Sequence, residues 1–291
     1  DKFSQLPLAK RRSDHNGIVQ VMATLCRKEL KTSGAIGINF ANGFVTVDLV
    51  ILPHDPDYGC TYTLPYRYRP DERDNGRIWG EFLERIWSDP ENGADPDIME
   101  KKMALQEAMA CTMFGLGPRY CRAILLFGLA HTGKTQTLRV MEALLPDSQV
   151  TTLEPEKWGD KFGPAILADK LLNVAGELSE RRKIDGQWFK AIVSGDSINV
   201  QFKGQTPFKL KPHATHWFAS NHLPKSDDTS AGFNRRWLIL PFEHPIARSE
   251  KINDFANILV ADEREQIAAW AVYGITRLMK NTDYTLPKSH E

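Results

Sequence analysis

Apolar and polar positions follow different periods along the first third of the chain. Segment 16–31 carries apolar residues at helical spacing, which predicts a helix. Segment 35–52 has the pattern of strand, turn and strand, with Asn42-Gly43 as the turn signal. Segment 53–76 is dense in proline, aspartate and glycine, so we expect an extended loop there.

The middle and the end of the chain have the pattern of an α/β domain. Helical periodicity resumes in segments 77–89 and 96–116, and we expect these two helices to pack against each other. From position 122 onward, helical segments separate the short apolar runs AILLF, LLNVAG, THWFAS and WLILPF. Buried strands that alternate with helices predict a central, mostly parallel sheet, and a helix at 252–281 follows it.

These changes of pattern divide the chain into four parts. Residues 1–75 form a small N-terminal unit of helix, hairpin and loop, and residues 76–117 form a helical linker or collar. Residues 118–245 form the α/β core, and residues 246–291 form a C-terminal helical segment.

Composition limits the kinds of partner and the cellular compartment that we expect for this protein. Lys plus Arg and Asp plus Glu number 37 each, so no overall basic field attracts nucleic acid, although a few local contacts still can. The four cysteines form no CxxC pair, which fits a reducing, cytoplasmic compartment and gives no zinc site. No apolar run reaches the ~18 residues of a membrane span. The opening DKFSQLPLAKRRSD has no signal sequence and no Met, so we expect a fragment of a longer cytosolic chain.

The stretch GLAHTGKT, residues 128–135, has the spacing of a phosphate-binding loop between a strand and a helix. Its glycines let successive backbone N–H groups point into one concavity at the start of the helix. Lys134 then neutralises the β- and γ-phosphates of a nucleotide, and the Thr135 hydroxyl ligates Mg²⁺. The alternative is a glycine-rich turn without a ligand. The candidate nucleotide-binding set is Gly128, Leu129, Ala130, His131, Thr132, Gly133, Lys134, Thr135 and Gln136.

Two polar residues follow later strands. Glu177 comes after the apolar run 171–175, where a carboxylate can hold Mg²⁺ and activate the attacking water, unless it is an ordinary surface glutamate. Asn221 ends the run THWFAS and can orient that water beside the γ-phosphate, or it can simply begin an Asx turn.

Basic residues stand immediately before the last apolar run. Arg235 and Arg236 precede WLILPF. An arginine supplied across a subunit boundary stabilises charge on a transferring phosphoryl group. A solvated pair of arginines is the plain alternative.

A second basic segment lies between Glu177 and Asn221. Alternating apolar residues predict a β-hairpin with Lys203-Gly204 at its tip. A lysine at a hairpin tip can contact a nucleic-acid backbone, and Lys209 and Lys211 extend the positive strip, although a solvated turn has the same pattern.

The order of these motifs resembles that of the superfamily 3 helicases, the AAA+-related replicative helicases of small viruses, phages and plasmids. The chain is most similar to the helicase portion of phage and plasmid primase-helicases, which are related to the poxvirus primase-helicase. NGFVTVD and HDPDYGCTYTLPYRYRPD resemble the segment before that helicase core, and REQIAAWAVYGITRLMKN resembles the helical segment after it. The resemblance covers roughly residues 36–287 and implies an AAA+-like P-loop ATPase core.

The resemblance also implies roles for the candidate residues. It makes the 128–135 stretch the Walker A motif, Glu177 the Walker B acid and Asn221 sensor 1. Arg236 is then the arginine finger, with Arg235 as the second candidate. Many viral members have two acids where this chain has Gly176-Glu177, so Glu177 would serve in both metal positioning and water activation.

Two lysines take roles from the same resemblance. Lys203 matches the tip lysine of the DNA-gripping hairpin, where Gly204 replaces the aromatic residue or histidine often found in the family. Lys190 falls where related proteins can carry a basic residue that faces the neighbouring subunit's nucleotide.

The function that the resemblance implies is that of an ATP- and Mg²⁺-dependent DNA helicase. It would work as a homo-oligomeric ring, a hexamer, on single-stranded or forked DNA, with translocation in the 3′→5′ direction and a primase domain or primase protein upstream. Two other classes stay open. One is a nucleotide-switched replication initiator or DNA-binding assembly module, and the other is an ATPase that remodels protein or packages DNA.

Overall fold

The computed structural model describes residues 34–290. The helix expected at 16–31 lies outside the described residues. The chain divides into two compact units, one of residues 1–35 and 55–59 and the other of residues 36–54 and 60–291. The described part of the first unit contains a 3-10 turn, Pro56–Tyr58. All elements below belong to the second unit, and the four-part division stays a prediction.

A three-stranded antiparallel sheet begins the second unit, with the order β1 (Gly37–Phe40), β2 (Gly43–Thr46) and β3 (Ile51–Leu52). Phe40 lies opposite Gly43, so the turn consists of Ala41 and Asn42, one position before the expected Asn42-Gly43. The Asn42 side chain explains the shift, because it exchanges hydrogen bonds of 2.8 and 3.0 Å with the backbone of Tyr68.

Seven α-helices are described between residues 34 and 290. They are α1 (Arg77–Ile86), α2 (Ile98–Met113), α3 (Gly117–Tyr120), α4 (Lys134–Ala143), α5 (Gly186–Val193), α6 (Ala231–Asn234) and α7 (Phe255–Asn281). A small hairpin, β4 (Ser88–Asp89) and β5 (Gly93–Ala94), separates α1 from α2.

The long helix α7 holds the other large helices together. Both α1 and α2 pack against α7, and Lys102 of α2 also forms an ion pair with Glu84 of α1, so the two helices contact each other as the sequence predicts. A buried ion pair adds to the α2 contact, because Arg277 of α7 donates from Nε to the carboxylate of Glu107, a fully buried residue of α2.

A five-stranded parallel sheet lies at the centre of the second unit. Its strands are β6 (Ala123–Gly128), β7 (Val150–Thr151), β8 (Leu172–Ala175), β11 (Thr215–Ser220) and β12 (Trp237–Phe242), and their order is β12-β6-β11-β8-β7. A separate hairpin, β9 (Ile198–Val200) with β10 (Phe208–Leu210), precedes β11. The α/β class and the parallel sheet predicted from the sequence are confirmed.

Alternate residues of β6 face two different cores. Ile124 and Leu126 pack with buried residues of α1, α2, α4 and α7, whereas Ala123 and Leu125 pack with those of α5, α6 and the β9–β10 hairpin. Because apolar layers cover both faces of the sheet, polar side chains that a ligand can reach lie where the strands end. No helix within residues 34–290 has the length and hydropathy of a membrane span.

Candidate functional site

The 128–135 loop, Glu177 and Asn221 follow three neighbouring strands. β11 lies between β6 and β8, and all three run in the same direction. Their last residues, Gly128, Ala175 and Ser220, therefore lie at one edge of the sheet, which we call the carboxyl edge. Ligands of open parallel sheets bind characteristically at this edge.

A cleft of about 830 Å³ opens at the carboxyl edge. Its volume lies within the range of pockets that hold small ligands and cofactors. Residues 130–136, Glu177 and Asn221 line it together. The other walls come from α1 and from residues 250–255. The structure thus brings the three candidate motifs of the sequence into one cavity.

Two glycines shape the 128–135 loop. Gly128 has a φ of 139°, and a Cβ atom there would lie 2.0 Å from the carbonyl oxygen of Phe242. Gly133 has a φ of 96°, and a Cβ atom there would lie 2.7 Å from the Cγ2 atom of Ile86 in α1. Only glycine combines these φ values with such close neighbours. The loop therefore runs tightly between β12 and α1.

Lys134 folds back across the loop. Its Nζ donates to the carbonyl oxygens of Gly128, at 2.8 Å, and of Leu129. The residue is buried, and burial lowers the pKa of its ammonium group. Lys134 begins α4, so the ammonium and the first N–H groups of a helix face the same cleft. These are the groups that hold phosphate oxygens in proteins.

Thr135 and Gln136, which follow Lys134, differ in exposure and in contacts. Thr135 is exposed and lines the cleft. The Oε1 atom of Gln136 accepts a hydrogen bond of 3.1 Å from the backbone N–H of Ala256, in the first turn of α7. Gln136 thus ties the loop to the helix that forms the opposite wall.

Glu177 and Asn221 are exposed at the far side of the cleft. Within residues 34–290, Glu177 makes no ion pair. Both residues also line an adjoining groove of about 510 Å³, together with residues from segments 154–157 and 178–182. A carboxylate in this position is accessible to a ligand in the cleft and to water from the groove.

Arg236 lies at the opposite end of the sheet from the cleft. It immediately precedes β12, and its carbonyl oxygen accepts a 2.7 Å hydrogen bond from the N–H of Ala123, the first residue of β6. Its guanidinium donates to the Oγ of Ser194, at 2.9 and 3.2 Å, and to the carbonyl oxygen of Gly232. Arg235 is exposed. We call this end of the strands the amino edge.

Lys190 lies beside Arg236. A Cβ atom on Gly232 would lie 3.7 Å from the Cδ of Lys190 and 3.8 Å from the Nη1 of Arg236. Lys190 forms a 2.7 Å ion pair with Asp228, and this hydrogen-bonded partner lowers the pKa of the Asp228 carboxyl to about 2. The candidate residues of the nucleotide site thus form two groups, one in the cleft and one at the amino edge.

The β9–β10 hairpin has the form that the sequence predicts. Its turn contains Lys203 and Gly204, which are exposed, and Gly204 has a φ of 80°. The rings of Phe202 and Phe208 stack at 5.5 Å below the turn. Lys209 and Lys211 are exposed along the returning strand.

Sequence reasoning missed one wall of the cleft. Ile78, Phe82 and Arg85 of α1 line it, and Arg85 donates hydrogen bonds of 2.8 and 3.0 Å to Glu250 on the other wall. These residues carry no motif, and they are brought to the loop by contacts between distant segments. Only the amphipathic pattern of α1 marks them, and it indicates packing.

Oxygen donors for a hard cation are present in the cleft, although residues 34–290 contain no cluster of three or more His, Cys, Asp or Glu that could form a metal site by themselves. The Thr135 hydroxyl and the Glu177 carboxylate are such donors. Mg²⁺ is typically held by one or two protein oxygens together with substrate phosphates, so this small set fits it.

Comparisons with known proteins show a similar fold, but they do not assign the whole chain to a family. Residues 126–236 match the model of a family of unknown function, DUF5906, which covers less than half of the chain. No curated protein matches the sequence.

One solved structure of low sequence identity supports the fold. The chain is similar to the apo structure of the NrS-1 C-terminal region, with a TM-score of 0.51, 14% identity, and coverage of 76% of this chain and 53% of that one. An A-form apo structure of the same region has a TM-score of 0.49 and 14% identity, with coverage of 72% and 46%. The chain thus spans about half the length of these structures.

Proposed function

We propose that this protein is an ATP-dependent DNA helicase that works as a ring, as the superfamily 3 resemblance implies. The observation that carries the proposal is the convergence of Lys134, Glu177 and Asn221 on one cleft. A cation for phosphates, a carboxylate for water and an amide to orient it are the groups that nucleoside triphosphate hydrolysis requires.

In this proposal the two ends of the cleft bind different parts of ATP. The phosphates lie on the 128–135 loop, and Lys134 exchanges its two loop carbonyls for phosphate oxygens. Thr135 and Glu177 would hold Mg²⁺, and the ion would neutralise phosphate charge. The base lies at the apolar end, against Phe82 of α1 and Phe255 of α7, whose rings contact each other with their centroids 5.2 Å apart. Glu177 accepts the proton of the attacking water, and Asn221 orients that water.

The placement of Arg236 and Lys190 supports assembly into a ring. They lie at the amino edge, away from their own cleft at the carboxyl edge. Opposite, complementary surfaces on one chain produce head-to-tail contacts, and such contacts close into rings. In the ring, which we propose is a hexamer, Arg236 reaches the γ-phosphate held by the next subunit. Lys190 approaches the same nucleotide.

DNA binding is assigned to the β9–β10 hairpin, with Lys203 at its tip. Repetition around the ring places several lysines on one strand, so an overall charge of zero is compatible with DNA binding. ATP hydrolysis changes the subunit interface and moves the hairpin, which drags single-stranded DNA.

Lys203→Ala is expected to uncouple DNA from hydrolysis. The Lys203 side chain is exposed and belongs to neither core, so the variant should fold normally and keep basal ATPase activity. The increase in ATPase rate on adding single-stranded DNA should fall about tenfold or more, because the phosphate contact is lost. Unwinding of forked DNA should fall equally.

The matched control is Lys280→Ala, which removes an exposed lysine at the end of α7. It should leave DNA stimulation and unwinding unchanged. Normal unwinding by the Lys203 variant would show that the hairpin does not grip DNA. An ATPase that remodels protein would instead unwind no DNA, either as the wild type or as the Lys203 variant.

A further inference from the structure

Helix α7 is interrupted at a buried glutamate. Glu263 has φ and ψ of −127° and 20°, which are not helical, and the residue is 9% exposed. The part before it begins at the cleft with Phe255 and receives the side chain of Gln136. The part after it carries Arg277, which binds Glu107 of α2. Glu263 therefore joins the cleft-lining part of α7 to the part anchored in the core.

The carboxylate of Glu263 serves a different helix. Its Oε1 accepts a 2.8 Å hydrogen bond from the backbone N–H of Ile78, and its Oε2 accepts one of 2.8 Å from that of Trp79. These are the second and third residues of α1, whose N-cap residue, Gly76, has no side chain to satisfy them. A carboxylate at this position also complements the positive end of the helix dipole. Glu263 thus caps α1 from a residue far along the chain.

The capped helix touches the 128–135 loop directly. The Cγ2 atom of Ile86 in α1 would lie 2.7 Å from a Cβ on Gly133, and the ring of Phe82 would lie 3.3 Å from it. At its other end, α1 is fixed by Arg85, which binds Glu250 and donates a 3.2 Å hydrogen bond to the carbonyl oxygen of Pro245. A shift of α1 would therefore change the shape of the loop and the width of the cleft.

We propose that Glu263 is a positioning residue for the nucleotide. By capping α1, it holds this helix against Gly133 and keeps the cleft at the width that ATP requires. The inference rests on the proposed function, because it concerns the affinity of the same cleft. Glu263 does not line the cleft, so it acts through α1.

Glu263→Gln tests this role with an almost unchanged side-chain volume. Glutamine keeps one acceptor, but its NH₂ group faces a backbone N–H and its charge is lost, so one of the two capping bonds fails. We expect the Kd for Mg²⁺-ATP, measured by calorimetry, and the KM for hydrolysis to rise about tenfold, because displaced walls misplace the ligand. The kcat should stay within about twofold, because Glu177 and Lys134 are retained.

Two comparisons separate positioning from general destabilisation. Glu265→Gln changes a neighbouring glutamate of α7 that binds Arg69 and the N–H of Arg67, outside the cleft, and it should leave Kd and KM unchanged. Glu263→Asp retains the charge and should recover part of the affinity. Hydrogen exchange of the Ile78 and Trp79 amides should accelerate in Glu263→Gln only.

Each outcome decides one claim. Faster exchange at Ile78 and Trp79 with an unchanged Kd would overturn the positioning role, since α1 would then move without effect on the ligand. An equal loss of affinity in Glu265→Gln would also overturn it. A wild-type chain that binds no ATP would contradict the proposed function, and its amide exchange would still report whether Glu263 caps α1.

Discussion

Replacing Glu177 with glutamine should slow ATP hydrolysis by about 10²–10⁴-fold and leave ATP binding intact. The carboxylate is exposed and lines the cleft together with the loop that holds the phosphates in our proposal. Glutamine keeps the size and one oxygen of the side chain, but it cannot accept the proton of the attacking water. Steady-state ATPase rates and ATP affinity, measured on the same preparation, separate the two effects.

The control is Glu180→Gln, on the same loop. Glu180 is exposed and pairs with His222 at 3.4 Å, outside the cleft that holds Lys134. Its replacement should leave the hydrolysis rate unchanged. Hydrolysis at the wild-type rate by the Glu177 variant would contradict its assignment. If the Glu177 variant hydrolyses no ATP but still assembles and keeps its biological function, a nucleotide-switched initiator would be favoured over a helicase.

Arg236→Ala should lower the ATPase rate by about 10³-fold or more. Mixing this variant with a second inactive variant should restore part of the activity. The residue is at the amino edge, held by Ser194 and Gly232, and it does not line its own cleft. If it acts on the next subunit, a mixture with Lys134→Ala contains interfaces in which both groups are intact. At equal amounts of the two variants, random assembly gives about a quarter of such interfaces.

The measurement is ATPase activity across a series of mixing ratios at constant total protein. Activity should peak near equal amounts, although each variant alone is inactive. Arg235→Ala, mixed in the same way, is the control and should retain its own activity, because this exposed neighbour is only the second candidate. A flat, inactive series at every ratio would exclude action across the interface.

Much of the fold follows from local pattern. The run AILLF became β6 because its residues alternate between two cores, and no polar position interrupts it. The turn signals of the β9–β10 hairpin and the glycine spacing of the 128–135 loop also act over a few residues. The loop 128–135, Glu177 and Asn221 each follow a strand of the five-stranded sheet. They lie at the same edge because the strands of that sheet are parallel.

Other features depend on contacts that no short segment contains. β7 has two residues and exists because β8 offers it a neighbouring edge, so it has no periodicity of its own. The turn of the first hairpin shifted because Asn42 binds Tyr68. The carboxylate of Glu263 caps α1, a wall of the cleft, from 184 and 185 positions away. Such pairings are decided by the packing of the whole domain.

The most direct test of the account is the affinity of the chain for Mg²⁺-ATP by calorimetry, compared with that of Lys134→Ala. The ammonium is the one cation that the 128–135 loop itself supplies, so its loss should weaken binding by about 10²-fold, or ~2.7 kcal/mol. Arg139→Ala, an exposed cation on the same helix, should bind as the wild type does. One-site binding by the wild type and its loss in Lys134→Ala are the predicted results. Equal affinity in both, or no binding by the wild type, would contradict the account.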